Sequence, residues 1–161
     1  MSIHQWHALI VRPQFERIVA IHLQEQKIQH YLPLLHSSRR SNKDTDQPLF
    51  PGYVFCKCDA PEKLWTIPGV LSVRRGTSDI QAVLDREITD VRRILAAGLK
   101  VQLWPFTPGG RVVTIDQGPL SGLVGNLEDK GAKRFLVFPM RLVHQSVALK
   151  ADSLPELHFA S

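Results

Sequence analysis

Between Trp6 and Gly98 the apolar positions change period several times, and each change marks an expected element. Trp6 to Val11 is a short apolar run stopped by Arg12-Pro13, which predicts a strand. Phe15, Ile18, Val19 and His22 then recur at helical spacing to about Gln26. Pro13 stands where a helix can begin. Ile28 to Leu35 reads as an extended, interrupted segment, because Tyr31 and Pro33 lie inside it. A strand from Tyr53, a helical turn over Glu62 to Thr66 and a strand over Val70 to Arg74 follow. Asp85 is expected to cap a helix whose stripe is Ile88, Val91, Ile94 and Leu95, with Gly98 as its stop. This β-α-β-β-β-α order predicts an α+β sandwich, helices against an antiparallel sheet.

After Gly98 the helical period does not return. Residues 100–109 hold Pro105 and Pro108 and no clear period, so they are expected to form a linker between a domain at 1–99 and one at 110–161. Trp104 and Phe106 make it apolar for a linker and are expected to lean on one domain or the other. Beyond it, Arg111 to Ile115, Leu123 to Leu127, Arg134 to Phe138 and Ser146 to Lys150 all read as strands. Gly118-Pro119 and Asp129-Lys130-Gly131 supply turns between them. Four or five short strands predict a small β-barrel, which avoids exposed edges by closing on itself. Such a domain is too small for a large enzyme cleft.

The stretch Pro48-Leu49-Phe50-Pro51-Gly52-Tyr53-Val54-Phe55-Cys56-Lys57 breaks the pattern. Alternation along it places Val54, Cys56 and Cys58 on one small apolar face and Tyr53, Phe55 and Lys57 on the other. Two aromatics beside a cation fit a docking patch. They fit equally a face that a helix of the same domain covers.

Charge points the same way. Twenty Lys and Arg against fifteen acids give a net charge of +5 and a pI near 9.5, which suits a polyanionic partner. Arg39, Arg40 and Lys43 sit in a polar stretch, Ser37 to Gln47, that reads as a loop. Arg12 ends the first strand, Arg17 opens the first helix, and Arg74 and Arg75 close a strand before Gly76. Cys56 and Cys58, two apart on one strand face, are poorly placed to bridge and lack a second pair to complete a zinc site. No metal or other cofactor is expected. The N-terminal Met1 to Trp6 carries no secretory pattern and no run approaches the roughly 18 apolar residues of a membrane span, so a cytoplasmic protein is expected. Neither HExxH spacing, a nucleophile elbow nor a phosphate-binding glycine loop occurs, and no enzyme is expected.

Trp6 with its apolar strand, Pro51-Gly52-Tyr53-Val54-Phe55, Pro68-Gly69-Val70 and Gly76-Thr77-Ser78 together resemble an N-terminal NusG (NGN) domain. Pro108-Gly109-Gly110-Arg111-Val112-Val113, followed by Gly118-Pro119-Leu120-Ser121-Gly122-Leu123-Val124-Gly125, resembles a KOW domain. The short Ser37 to Gln47 loop and Pro48-Leu49-Phe50-Pro51 look more like the specialised RfaH-, LoaP- and UpxY-type antiterminators than a housekeeping NusG. The resemblance implies a monomeric transcription elongation factor. It would dock on the clamp helices of the largest RNA polymerase subunit through Ile10, Phe50, Tyr53 and Phe55, and meet the gate loop through Trp65 and Thr66. Ile10 departs from the aromatic seen in related members. Arg12, His22, Arg74 and Arg75 would contact the non-template DNA strand, with Pro13 replacing a second cation. Met140, Arg141, Leu142 and Val143 of the KOW domain would receive a ribosomal NusE-type protein or Rho. A ribosome- or RNA-binding KOW protein without polymerase contact is the alternative, as is an ordinary NusG that cooperates with Rho.

Overall fold

A computed structural model of the chain describes residues 4–36, 46–106 and 109–154, and the backbone of 157–159. Arg39, Arg40, Lys43 and most of the Ser37 to Gln47 loop lie outside the described residues. The fold is mixed α+β, and the chain divides into two compact units, Met1–Asp85 and Arg86–Ser161.

In the first unit, β1 (Gln5–Val11), α1 (Glu16–Glu25), β2 (Gln29–Tyr31), β3 (Leu34–Leu35), β4 (Gln47–Pro48), β5 (Tyr53–Cys58), a 3-10 turn (Pro61–Thr66) and β6 (Val70–Arg75) follow one another. Four strands form an antiparallel sheet in the order β2-β5-β1-β6, and β3 pairs with β4 alone. Leu9, Val54 and Cys56 share one face and pack against Val19 and Leu23 of α1 and Leu64 and Ile67 beside the 3-10 turn. Pro51-Gly52 makes the tight turn into β5: Gly52 has φ +86° and the Tyr53 amide donates to the Phe50 carbonyl at 3.1 Å. The buried Glu16 carboxylate accepts the Gly52 amide at 2.8 Å, so the first turn of α1 holds this corner.

His7 and Gly76 lock the far end of the sheet. The His7 ring is 1 % exposed; Nε2 donates to the Cys58 carbonyl at 3.2 Å and Nδ1 accepts the Gly76 amide at 3.1 Å. That pattern requires the neutral ring. Burial lowers its pKa, reinforced by the nearby Arg75 charge and opposed by the Cys58 hydrogen bond. Only glycine fits at 76, because a Cβ there would stand 2.2 Å from the Trp6 carbonyl oxygen.

Helix α2 (Gln81–Ala96) starts a turn earlier than expected, behind a 3-10 turn at Ser78–Ile80. Asp85 is therefore inside the helix and not its cap. Leu84, buried, extends the Ile88–Val91–Ile94 stripe backward, and Asp85 instead accepts the Trp6 indole N–H at 3.0 Å. Gly98, at φ +73°, follows the last turn as expected.

The second unit holds β7 (Val101–Pro105), β8 (Arg111–Ile115), β9 (Val124–Lys130), β10 (Lys133–Met140), a 3-10 turn (Arg141–Val143), β11 (Gln145–Lys150) and β12 (Leu157–Phe159). They form one antiparallel, KOW-like sheet in the order β12-β8-β9-β10-β11-β7. Most of the segment expected as a linker is thus a strand: Val101 to Pro105 pairs with β11, and Pro105 ends an edge strand where its missing amide proton is tolerated. The ladder runs from β12 to β7, with no pairing between those two strands among the described residues, and its short antiparallel strands make the KOW-like architecture expected. Val113, Leu136, Phe138, Val147 and Leu149 are buried core side chains. Gly125 belongs there because a Cβ would approach Leu136 to 2.9 Å.

Candidate functional site

Strand register gathers part of the expected contact surface onto one face of the first sheet. Ile10 stands opposite Tyr53 on β5 and Ser72 on β6, while Ala8 stands opposite Phe55 and Arg74. Ile10, Tyr53, Phe55 and Arg74 therefore share the face turned away from α1. The Arg74 guanidinium sits 5.9 Å from the centre of the Tyr53 ring, a cation–π contact. Further along the same face, Lys57 lies 5.7 Å from the Trp6 ring centre and 3.7 Å from the Asp85 carboxylate.

Exposure divides this group. Tyr53 and Ile10 are half-buried and Arg74 is exposed. Phe55 and Phe50, expected as contact residues, are fully buried. The small side chain of Ala8 opposite lets the Phe55 ring sink toward the sheet, where Tyr31 stacks on it at 6.5 Å and Phe50 meets it edge-on at 6.0 Å. Phe50 and Phe55 thus pack within the unit and are not themselves presented. Alternation along β5 assigned the correct face but could not say which of its side chains would be covered.

Trp65, by contrast, is 55 % exposed on its 3-10 turn, although an indole is among the costliest side chains to leave in water. Thr66 beside it turns its hydroxyl back to the Lys63 carbonyl at 2.7 Å. The four residues expected on DNA are not brought to one face. Arg74 lies beside Tyr53, whereas Arg75 pairs with His7 in the register and so takes the opposite side. His22 is half-buried on α1, 3.8 Å from the Glu25 carboxylate. Arg12 is exposed where β1 ends, its backbone amide bound to the Gly69 carbonyl at 2.9 Å.

In the second unit Met140, Leu142 and Val143 are buried, which corrects their expected place on an exposed partner surface. The turn is clasped to α2: Glu87 accepts the Arg141 backbone amide at 2.9 Å and pairs with its guanidinium. Burial raises the Glu87 pKa, although the Arg141 amide and charge pull it back down. Arg141 and His144 remain exposed. Arg93 ties the same helix to the loop before β9 by donating to the Pro119 and Ser121 carbonyls at 2.9 and 3.0 Å.

Both cysteines are free and buried, and desolvation pushes the Cys56 thiol up to about 12, which leaves it unreactive. Among the described residues no cluster of His, Cys, Asp and Glu could hold a metal ion, and no helix is long and apolar enough to cross a membrane. A search of curated proteins found no match. The family model described as "Transcription termination factor nusG" matches residues 4–92, more than half of the chain and all of the sheet that carries Tyr53 and Arg74. This chain therefore belongs to the NusG family of transcription factors.

Proposed function

We propose that this protein is an elongation factor that binds RNA polymerase through the Tyr53 face, suppresses pausing and acts as an antiterminator of the RfaH, LoaP or UpxY type. The observation that carries the reading is the half-open Tyr53 ring, flanked by Ile10 and capped by Arg74, on the sheet of a NusG-family domain. A rigid aromatic with an arginine beside it is the composition of an interface hot spot. The clamp helices of the largest polymerase subunit would cover Tyr53 and Ile10, with Phe50 and Phe55 as the floor. Trp65 would reach the gate loop across the cleft. Holding both sides of the cleft keeps the clamp closed and opposes the paused state.

Arg74 could exchange its ring contact for a phosphate of the non-template DNA strand, and Arg12 could add a second. His22 and Arg75 lie on the other side of the sheet and support that contact less. Recruitment of a NusE-type protein or Rho at the 3-10 turn of the second unit would begin at Arg141, because Met140, Leu142 and Val143 must first leave the core. The description of the matched family favours a second reading, a factor that assists Rho at terminators.

Single-round transcription separates the two. Shortened pauses and increased read-through at a Rho-dependent site support the antiterminator. Earlier, Rho-dependent release supports the second reading. No effect on elongation or release would remove both.

A further inference from the structure

The outer face of the second sheet carries an aromatic and cationic cluster that the proposed polymerase contact does not use. In the β10–β11 register Phe135 stands opposite Lys150, and Val137 opposite Ala148. On β7, Gln102 stands opposite Ala148 and Trp104 opposite Ser146. At the other side Lys130 of β9 faces Lys133 of β10. Because side chains on one face recur every second residue, Lys130, Lys133, Phe135, Lys150 and Trp104 all project from the same side.

Trp104 roofs a small cluster of buried Phe135, Val137 and Ala148, its ring 4.6 Å from that of Phe135. The indole itself is half-buried and the three lysines are exposed. The Lys130 ammonium sits 5.4 Å from the Trp104 ring centre. The acids nearby are Asp129, which turns to the opposite face and pairs with Arg134 at 3.1 Å, and Glu128, opposite Phe135 on this face.

A flat, rigid π surface braced from behind and framed by lysines on flexible stems matches one ligand chemistry closely. Single-stranded nucleic acid offers bases that stack on an indole and phosphates that draw ammonium groups. An exposed cation–π contact is weaker than base stacking, so an incoming base can displace Lys130 from the ring while a phosphate receives it. Lysine is suited to this, being a mobile point charge, whereas an arginine would stay stacked. We propose that the Trp104–Lys130–Lys133–Lys150 face binds single-stranded nucleic acid, with Trp104 stacking on a base and the lysines on its backbone. This site is separate from the Tyr53 face and does not depend on polymerase binding.

The test uses the full chain and fluorescein-labelled uridine and thymidine oligomers of roughly a dozen nucleotides, titrated by anisotropy at several salt concentrations. The triple variant Lys130→Gln/Lys133→Gln/Lys150→Gln should weaken binding by about tenfold or more and reduce the salt slope by about 2, near 0.7 for each lost phosphate contact. Trp104→Phe, which keeps a ring over Phe135, should retain part of the affinity, and Trp104→Ala should lose most of it. Thermal melts confirm that each variant is folded, and the lysine variant tests the proposal even where Trp104→Ala is not. Tighter binding of the uridine oligomer would identify RNA as the ligand, and tighter binding of the thymidine oligomer DNA. If the wild type binds neither, or the triple variant binds both with unchanged affinity and slope, the proposal is overturned.

Discussion

On one face of the first sheet Leu9, Val54 and Cys56 meet Val19, Leu23, Leu64 and Ile67 in an apolar cluster, with the buried His7 closing its far end. On the other face the floor is equally dry, with Ala8 and Phe55 fully buried, but above it stand Tyr53 with Arg74 and Trp6 with Lys57 and Asp85. The same three strands build both. The centre of the first face is covered by the chain's own apolar side chains. The second keeps the Tyr53 ring half-open beside the Arg74 cation, above a buried layer; the contact proposed for this face would fall on that upper layer. Residues two apart on β5 thus end up differently placed, Phe55 covered and Tyr53 half-open.

Truncation should separate them. Phe55→Ala removes a fully buried ring and is expected to cost about 3–5 kcal/mol in urea unfolding. Gly76→Ala should cost about 2–3 kcal/mol, because its Cβ collides with the Trp6 carbonyl and displaces the amide that His7 accepts. In the second unit, Glu87→Ala takes the acceptor from the part-buried Arg141 amide and should cost about 1–2 kcal/mol. Glu87→Gln, which keeps an acceptor and sheds the burial penalty on the charge, should cost less than half of that.

His7 adds a pH dependence of known sign. Its folded pKa lies below the unfolded value, so the unfolded chain binds the extra proton. Stability is fully present above the unfolded value of about 6.5 and falls as the pH drops through it toward the folded one. Urea midpoints measured from pH 7.5 to 5 should therefore decline, and His7→Gln should flatten the decline. Tyr53→Ala should be the mildest change, under about 1 kcal/mol. A loss as large as that of Phe55→Ala would mean that this face is core throughout and erase the distinction between its layers.

Much of this was legible beforehand. Two periods, 2 for Tyr53 to Cys58 and helical for Phe15 to His22, place the strands and helices of the first sheet, and the alternation on β5 divides its faces correctly. Burial within a face was not legible, because Phe55 is covered through the small Ala8 and through Tyr31, a residue remote in sequence. The two prolines and the unalternating Leu103-Trp104 pair obscured β7; Pro105 only ends it. Asp85 drew attention as a cap because acids favour helix starts, while Leu84 already continued the apolar stripe one turn back. The Met140–Val143 turn looks like a docking loop by composition, and its burial depends on Glu87, more than fifty residues earlier.

Polymerase binding at the Tyr53 face is tested by the affinity of the full chain for core RNA polymerase, wild type beside Tyr53→Ala. The wild type is expected to bind and the folded variant to lose about 30-fold or more, the scale of an aromatic hot spot. A wild type that fails to bind, or a Tyr53→Ala chain that binds equally well, would contradict binding at this face.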